Sequence, residues 1–168
     1  MGVRNYLIEG GSGTGKTTVA NELQRRGFHV IHGDRELAYH GDPETGESTD
    51  PDPLKPRMWN VDRVKAVVSD QHEAVTFFCG GSGNVAKYID MFDGVFILEV
   101  TDLDEVMRRI DERVAVDPDD WGGRPEEREI IARLHRTKEQ IPQAGTVIDA
   151  TAPIERVVDE ILRVANVP

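Results

Sequence analysis

The sequence predicts an α/β fold of three layers, αβα, around a five-stranded parallel sheet. Three observations predict it. Strand-like and helix-like segments alternate along nearly the whole chain. Two of the strand-like segments, Ala74 to Cys79 and Val95 to Val100, are almost wholly apolar, as strands covered on both faces are. Residues 10–17 read Gly-Gly-Ser-Gly-Thr-Gly-Lys-Thr, between the apolar run Tyr6-Leu7-Ile8 and a helical pattern. That is the setting in which a glycine-rich loop wraps phosphate.

In order, the first strand is expected at about Arg4 to Glu9. A helix follows from the glycine-rich loop, with Val19, Ala20 and Leu23 inward, Arg25 and Arg26 in its last turn, and Gly27 as its stop. The second strand is Phe28 to His32. Residues 41–56 carry four prolines and the turn-forming run Gly41-Asp42-Pro43-Glu44-Thr45-Gly46, and so predict an exposed loop. Asn60 caps a helix through Val64, Val67 and Val68. After the strand ending at Cys79 come a short helix, Asn84 to Phe92, and the strand ending at Val100. Leu103, Val106, Met107, Ile110 and Val114 form one helical stripe, with Thr101 and Asp104 at capping-box spacing ahead of it. Asp117 to Arg124 is a second exposed loop, and Pro125 to Gln140 a helix. Thr146 to Asp149 is the last strand. Pro153 opens a final helix with Ile154, Val157, Val158, Ile161 and Leu162 on one face. Without a linker or internal repeat, residues 1–168 read as a single domain.

Charged residues make up 30% and apolar residues 38% of the chain, an ordinary globular composition. No apolar run approaches the length that spans a bilayer, and no leader is visible, so a cytoplasmic location is expected. The single cysteine, Cys79, excludes an internal disulfide and is expected to be a small buried residue. The formal net charge of −11 argues against a protein that tracks a nucleic-acid backbone. It leaves room for an anionic nucleotide in a locally basic cleft. His29 and His32, three apart in a strand, point to opposite faces and do not pair on a metal. Nothing points to an obligate protein partner.

The loop itself is a complete P-loop, Gly10, four residues, then Gly15, Lys16 and Thr17, so the fold is expected to be of the P-loop NTPase type. Its glycines turn backbone N–H groups inward around an anion, and the helix it opens adds partial positive charge. Gly11, Ser12, Gly13, Thr14, Gly15, Lys16, Thr17 and Thr18 form the expected nucleotide cradle. Lys16 reaches the β- and γ-phosphates, and the Thr17 hydroxyl ligates Mg²⁺.

With this loop, length, strand count and element order, the chain resembles the small P-loop kinases that include shikimate, gluconate and adenylate kinases. The resemblance implies transfer of the ATP γ-phosphoryl group, with Mg²⁺, to a small acceptor. Asp34 ends the second strand in Ile31-His32-Gly33-Asp34, at an edge expected next to the P-loop strand. Ligands of open α/β sheets sit beyond that edge, where a carboxylate can hold an acceptor hydroxyl, take its proton or support Mg²⁺ through water. A helix cap is the structural alternative for Asp34. Cys79-Gly80-Gly81-Ser82 lacks the acid of a motor-type strand end and resembles shikimate kinases, where such glycines meet the substrate. Small kinases close a lid over ATP, here residues 115–126, and Arg109 and Arg113 fall on one flank from which either could reach phosphate; whether Arg124 enters the site is open, and Trp121 is either lid anchor or loop packing. The loop through Ala152 and Pro153 corresponds to the one that packs adenine in these kinases. The acceptor side is expected in residues 35–63, where Arg57, Trp59 and Arg63 are candidates to hold an acceptor's charge or ring. The acidic surroundings there favour a neutral or cationic acceptor, such as a nucleoside or sugar.

Two other classes remain. A GTPase would need Asn-Lys-x-Asp after a strand; Thr137-Lys138-Glu139-Gln140 lacks the pattern, and Asp119-x-x-Gly122 matches a switch element only by letters. A non-catalytic or switch-type ATP-binding protein is thus one alternative. An enzyme acting on nucleic-acid ends is the other, and would need a basic groove where this chain offers scattered arginines.

Overall fold

The structure, a computed structural model, describes residues 3–52, 54–139 and 141–168. The strand at the middle is β1 (Arg4–Gly10), followed by α1 (Lys16–Arg25), β2 (His29–His32), the short α2 (Gly33–Glu36), β3 (Ala38–Tyr39), β4 (Met58–Trp59), α3 (Val61–Ser69) and β5 (Val75–Cys79). Two 3-10 turns, Val85–Lys87 and Ile89–Met91, lead to β6 (Gly94–Glu99), α4 (Leu103–Val116), α5 (Pro125–Thr137), β7 (Thr146–Asp149) and α6 (Ile154–Val164).

Five strands pair in parallel in the order β2-β5-β1-β6-β7. The expected α/β architecture is therefore present, and every strand of this sheet delivers its following loop to one edge. Asp34 was expected next to the P-loop strand. Instead β5 lies between β2 and β1, so Asp34 approaches the P-loop across the end of β5.

Side chains alternate across the sheet. Tyr6 and Ile8 of β1 join Phe77, Phe96, Leu23 and Val158 on one face. Leu7 joins Ile31, Phe78, Trp59, Val64 and Tyr88 on the other. α1 ends as the sequence predicts: Gly27 adopts φ 92°, its N–H donates to Gln24 O, and that of Phe28 to Leu23 O. Arg26 then pairs with Glu22 and with Asp159 of α6, which ties two helices on the same face.

Several local expectations change. The cap of α4 is Asp102, whose carboxylate accepts from Asp104 N at 2.9 Å, rather than Thr101 with Asp104. The expected helix over Asn84–Phe92 is the pair of 3-10 turns. α5 ends at Thr137, with Lys138 left-handed at its cap; the expected end at Gln140 lies outside the described residues. The described residues of the loop over 41–56 are largely exposed but stitched. β3 and β4 pair antiparallel around it, Gly41 bridges Ser48, and Tyr39 Oη donates to Gly46 O.

Candidate active site

The P-loop runs from the end of β1 into α1, with Gly15 at the cap position and Lys16 in the first helical residue. Lys16 Nζ donates to the carbonyls of Gly10 at 2.5 Å and Gly11 at 3.3 Å, so its ammonium spans the loop. Thr14 is buried and its hydroxyl donates to Gly11 O, which fixes the turn. Thr17 and Thr18 are exposed on the first turn of α1, and Gly11, Ser12 and Gly13 are partly exposed at the rim. Burial lowers the Lys16 pKa, while the charges of Asp34 and Glu9 oppose that effect and Arg113 adds to it. Three ionisable side chains therefore act on this one ammonium.

Asp34 is exposed in the first turn of α2. It is not that helix's cap. His32 holds the cap position, and Glu36 accepts from His32 N at 2.5 Å. That frees the Asp34 carboxylate for the site.

Gly80 and Gly81 follow β5. A methyl group built on Gly80 would sit 2.9 Å from Asp34 Oδ1 and from Trp59 Cζ2, and one on Gly81 would sit 2.9 Å from Glu9 Oε1. The close approach that glycine permits here is thus made by the protein's own side chains.

Trp59 was expected to face an acceptor. It is fully buried. Its ring stacks on Tyr88 with centroids 5.3 Å apart, and Asn84 clamps its backbone, accepting from Trp59 N at 3.0 Å and donating to Trp59 O at 2.9 Å. Trp59 therefore supports the site from below. Arg57 is exposed on the approach to β4, with its carbonyl accepting from Gly83 N. Arg63 lies on α3 beside Glu36 and Ile31, against a small cleft of about 150 Å³, on the side of β2, which β5 separates from the P-loop strand.

The two arginines of α4 divide. Arg109 donates to Ala150 O at 2.8 Å and to Gly13 O and Thr14 O at 3.4 Å, and pairs with Glu105. It braces the P-loop against the loop after β7, where Ala152 is partly buried and Pro153 exposed. Arg113 donates to Trp121 O at 2.5 Å and lies 3.4 Å from Asp120, and its charge is felt at Lys16. Of the two, Arg113 is the one whose guanidinium is held in the lid segment.

That segment is pinned. Glu127, buried, accepts from Gly122 N and Arg124 N, and Trp121 packs on the main core. Trp121 is thus a packing anchor, while the Arg124 side chain is exposed at the start of α5. Cys79 is buried and burial pushes its thiol well up, so it is not a nucleophile.

One prominent residue escaped the sequence reading. Glu9 is 2% exposed, its Oε2 has no partner, and burial pushes its carboxyl up to about 8 against the pull of Lys16. The signal was there: an acid in a strand expected to be covered on both faces.

Mg²⁺ suits hard oxygen donors and usually keeps several waters beside phosphate oxygens. Among the described residues no cluster of three His, Cys, Asp or Glu forms a metal cage. The exposed Thr17 hydroxyl and Asp34 carboxylate fit the sparser arrangement. Nor is any helix among them long and apolar enough to cross a membrane.

A family model described as an AAA domain matches residues 7–148. No curated protein sequence matches the chain. Among solved structures, shikimate kinase from Acinetobacter baumannii in complex with shikimate superposes with a TM-score of 0.64 at 16% identity, covering 98% of this chain and 93% of that one. A gluconokinase from Sinorhizobium meliloti 1021 gives 0.58 at 18%, covering 95% and 90%. A sugar kinase from Janibacter sp. HTCC2649 gives 0.56 at 18%, covering 98% and 95%. At these identities the likeness shows the fold, which is that of the small P-loop kinases.

Proposed function

From the premise that this chain belongs to the AAA domain family, we propose that it transfers the γ-phosphoryl group of Mg²⁺-bound ATP to a small-molecule acceptor. What supports this most is one juxtaposition: an exposed carboxylate, Asp34, facing the lysine of a complete P-loop across a strand end that carries no acid of its own. A switch or motor needs an acid at the end of β5, and that strand ends in Cys79-Gly80.

The P-loop N–H groups and Lys16 hold the triphosphate. Thr17 would ligate Mg²⁺, which would supply charge neutralisation on the phosphates. Asp34 holds the acceptor hydroxyl and takes its proton as the new O–P bond forms and the γ-phosphorus bond to the β–γ bridging oxygen breaks, with ADP leaving. Lys16 and Arg113 balance charge on the transferring group. Arg109 sets the P-loop relative to the adenine-side loop at Ala152 and Pro153. Residues 35–63 form the acceptor side and 115–126 the lid of one catalytic unit, with Arg57, Gly80 and Gly81 at the acceptor and Trp59 beneath it. The acceptor is a nucleoside, nucleotide or sugar-like metabolite offering a hydroxyl or phosphate. The one cysteine, buried and unpaired, is in keeping with a cytoplasmic enzyme.

The test is ATP-dependent phosphorylation across a panel of nucleosides, nucleotides, sugars and small acids, with Lys16→Ala as control. Transfer to one class, abolished in a folded Lys16→Ala protein, supports the proposal. Clean ATP binding with transfer to none contradicts it.

A further inference from the structure

Glu9 is the last side chain of β1 before the P-loop. In the β1–β5 register Ile8 stands opposite Cys79, which puts Glu9 level with Gly80. Alternation turns it to the face of Leu7, Trp59 and Tyr88. Its Oε1 lies under Gly81, and the nearby Ser82 backbone N–H pulls its pKa down, less than burial pushes it up. Oε2 is buried without a partner. The charged or titratable groups that act on it are Lys16 from α1 and Asp34 from α2, and it acts in turn on the Tyr88 hydroxyl, which Ser82 meets at 2.5 Å. No arginine is among them.

A buried carboxylate in such a place is costly unless paired. Ionised, it would engage Lys16 from below and add negative charge beneath a loop built to receive a triphosphate. Neutral, it leaves Lys16 to the loop and its ligand while still filling the space beneath Gly81. We propose that Glu9 is a positioning residue of the phosphate site that works as the neutral acid, filling the space between the Gly81 backbone and the root of the P-loop and holding a proton whenever nucleotide is bound. When Glu9 is ionised beforehand, binding takes that proton from solvent onto its carboxylate. This rests on the nucleotide-binding reading of the P-loop and not on the choice of acceptor.

The raised Glu9 pKa, about 8, sets where to look. Calorimetric titration with a non-hydrolysable ATP analogue and Mg²⁺, in buffers of differing ionisation enthalpy, reads the protons exchanged. Wild-type protein is expected to take up a fraction of a proton that grows from near zero at about pH 6.5 to its largest between about pH 8 and 9. The Glu9→Gln protein, neutral throughout, should still bind the analogue but lack that uptake. Equal uptake in both proteins would place the proton on Lys16 and overturn the proposal. Absence of any binding heat in wild-type protein would instead remove the P-loop reading, and this proposal with it. Should Glu9→Gln not fold, the side-chain carboxyl ¹³C resonance of Glu9 in wild-type protein decides: its titration moves to higher pH when the analogue is added, and an unmoved titration overturns the proposal.

Discussion

At the residue scale, the site is a balance of a few charges around Lys16, and Glu9 carries the heaviest cost. Its folded pKa, about 8, lies above its ordinary value of 4.5. The native state therefore keeps a proton that the unfolded chain loses. That contribution is fully present below about pH 4.5 and lost as pH rises through about 8, at a slope of at most about 1.4 kcal/mol per pH unit. Urea unfolding of wild type and Glu9→Gln across pH 5 to 8 should show the variant gaining relative stability as pH rises; parallel curves would mean that Glu9 is solvated. Trp59 yields a second prediction. Stacked on Tyr88 and wholly buried, it should cost about 3–5 kcal/mol of stability when changed to Ala. Wild-type stability with altered acceptor preference would mean that its ring meets the acceptor after all.

At the element scale, α4 divides its labour between neighbouring turns. Arg109 joins the P-loop carbonyls to Ala150 O, and bonds from a charged donor contribute about 1.5–3 kcal/mol. Arg109→Ala should weaken ATP binding by roughly tenfold or more, seen by calorimetry, with overall unfolding little changed. Arg113→Ala should instead lower kcat with ATP affinity largely kept; the reverse pattern would exchange their roles. Neither division was legible in the sequence, because helical spacing puts both arginines on one flank and only the folded neighbours separate them. The same holds for the lid. Its composition predicts an exposed loop, yet Glu127, from the following helix, fastens it through Gly122 and Arg124. A contact made by an acid in a helical stretch leaves no local mark. The small hairpin of β3 and β4 escaped for a like reason: two residues per strand are too few to show a period.

At the scale of the whole molecule, the parallel sheet and the P-loop were legible because their signals are long or dense: apolar strands, helical stripes, and a run of glycines with a lysine at fixed spacing. Strand order was not, since alternation alone does not say that β5 separates β1 from β2. That order matters to the chemistry. It makes Gly80 the ground that Asp34 crosses to approach the P-loop and sets Gly81 over Glu9, and it brings Asp34 and the P-loop to one edge. On the proposed function, Asp34 serves transfer to an acceptor at this edge, not nucleotide binding. Its most direct measurement is γ-phosphoryl transfer by wild type and Asp34→Asn, beside their ATP affinities. Transfer should fall about 10²–10⁴-fold with affinity nearly unchanged. Undiminished transfer in Asp34→Asn, or a loss explained by ATP affinity alone, would contradict it.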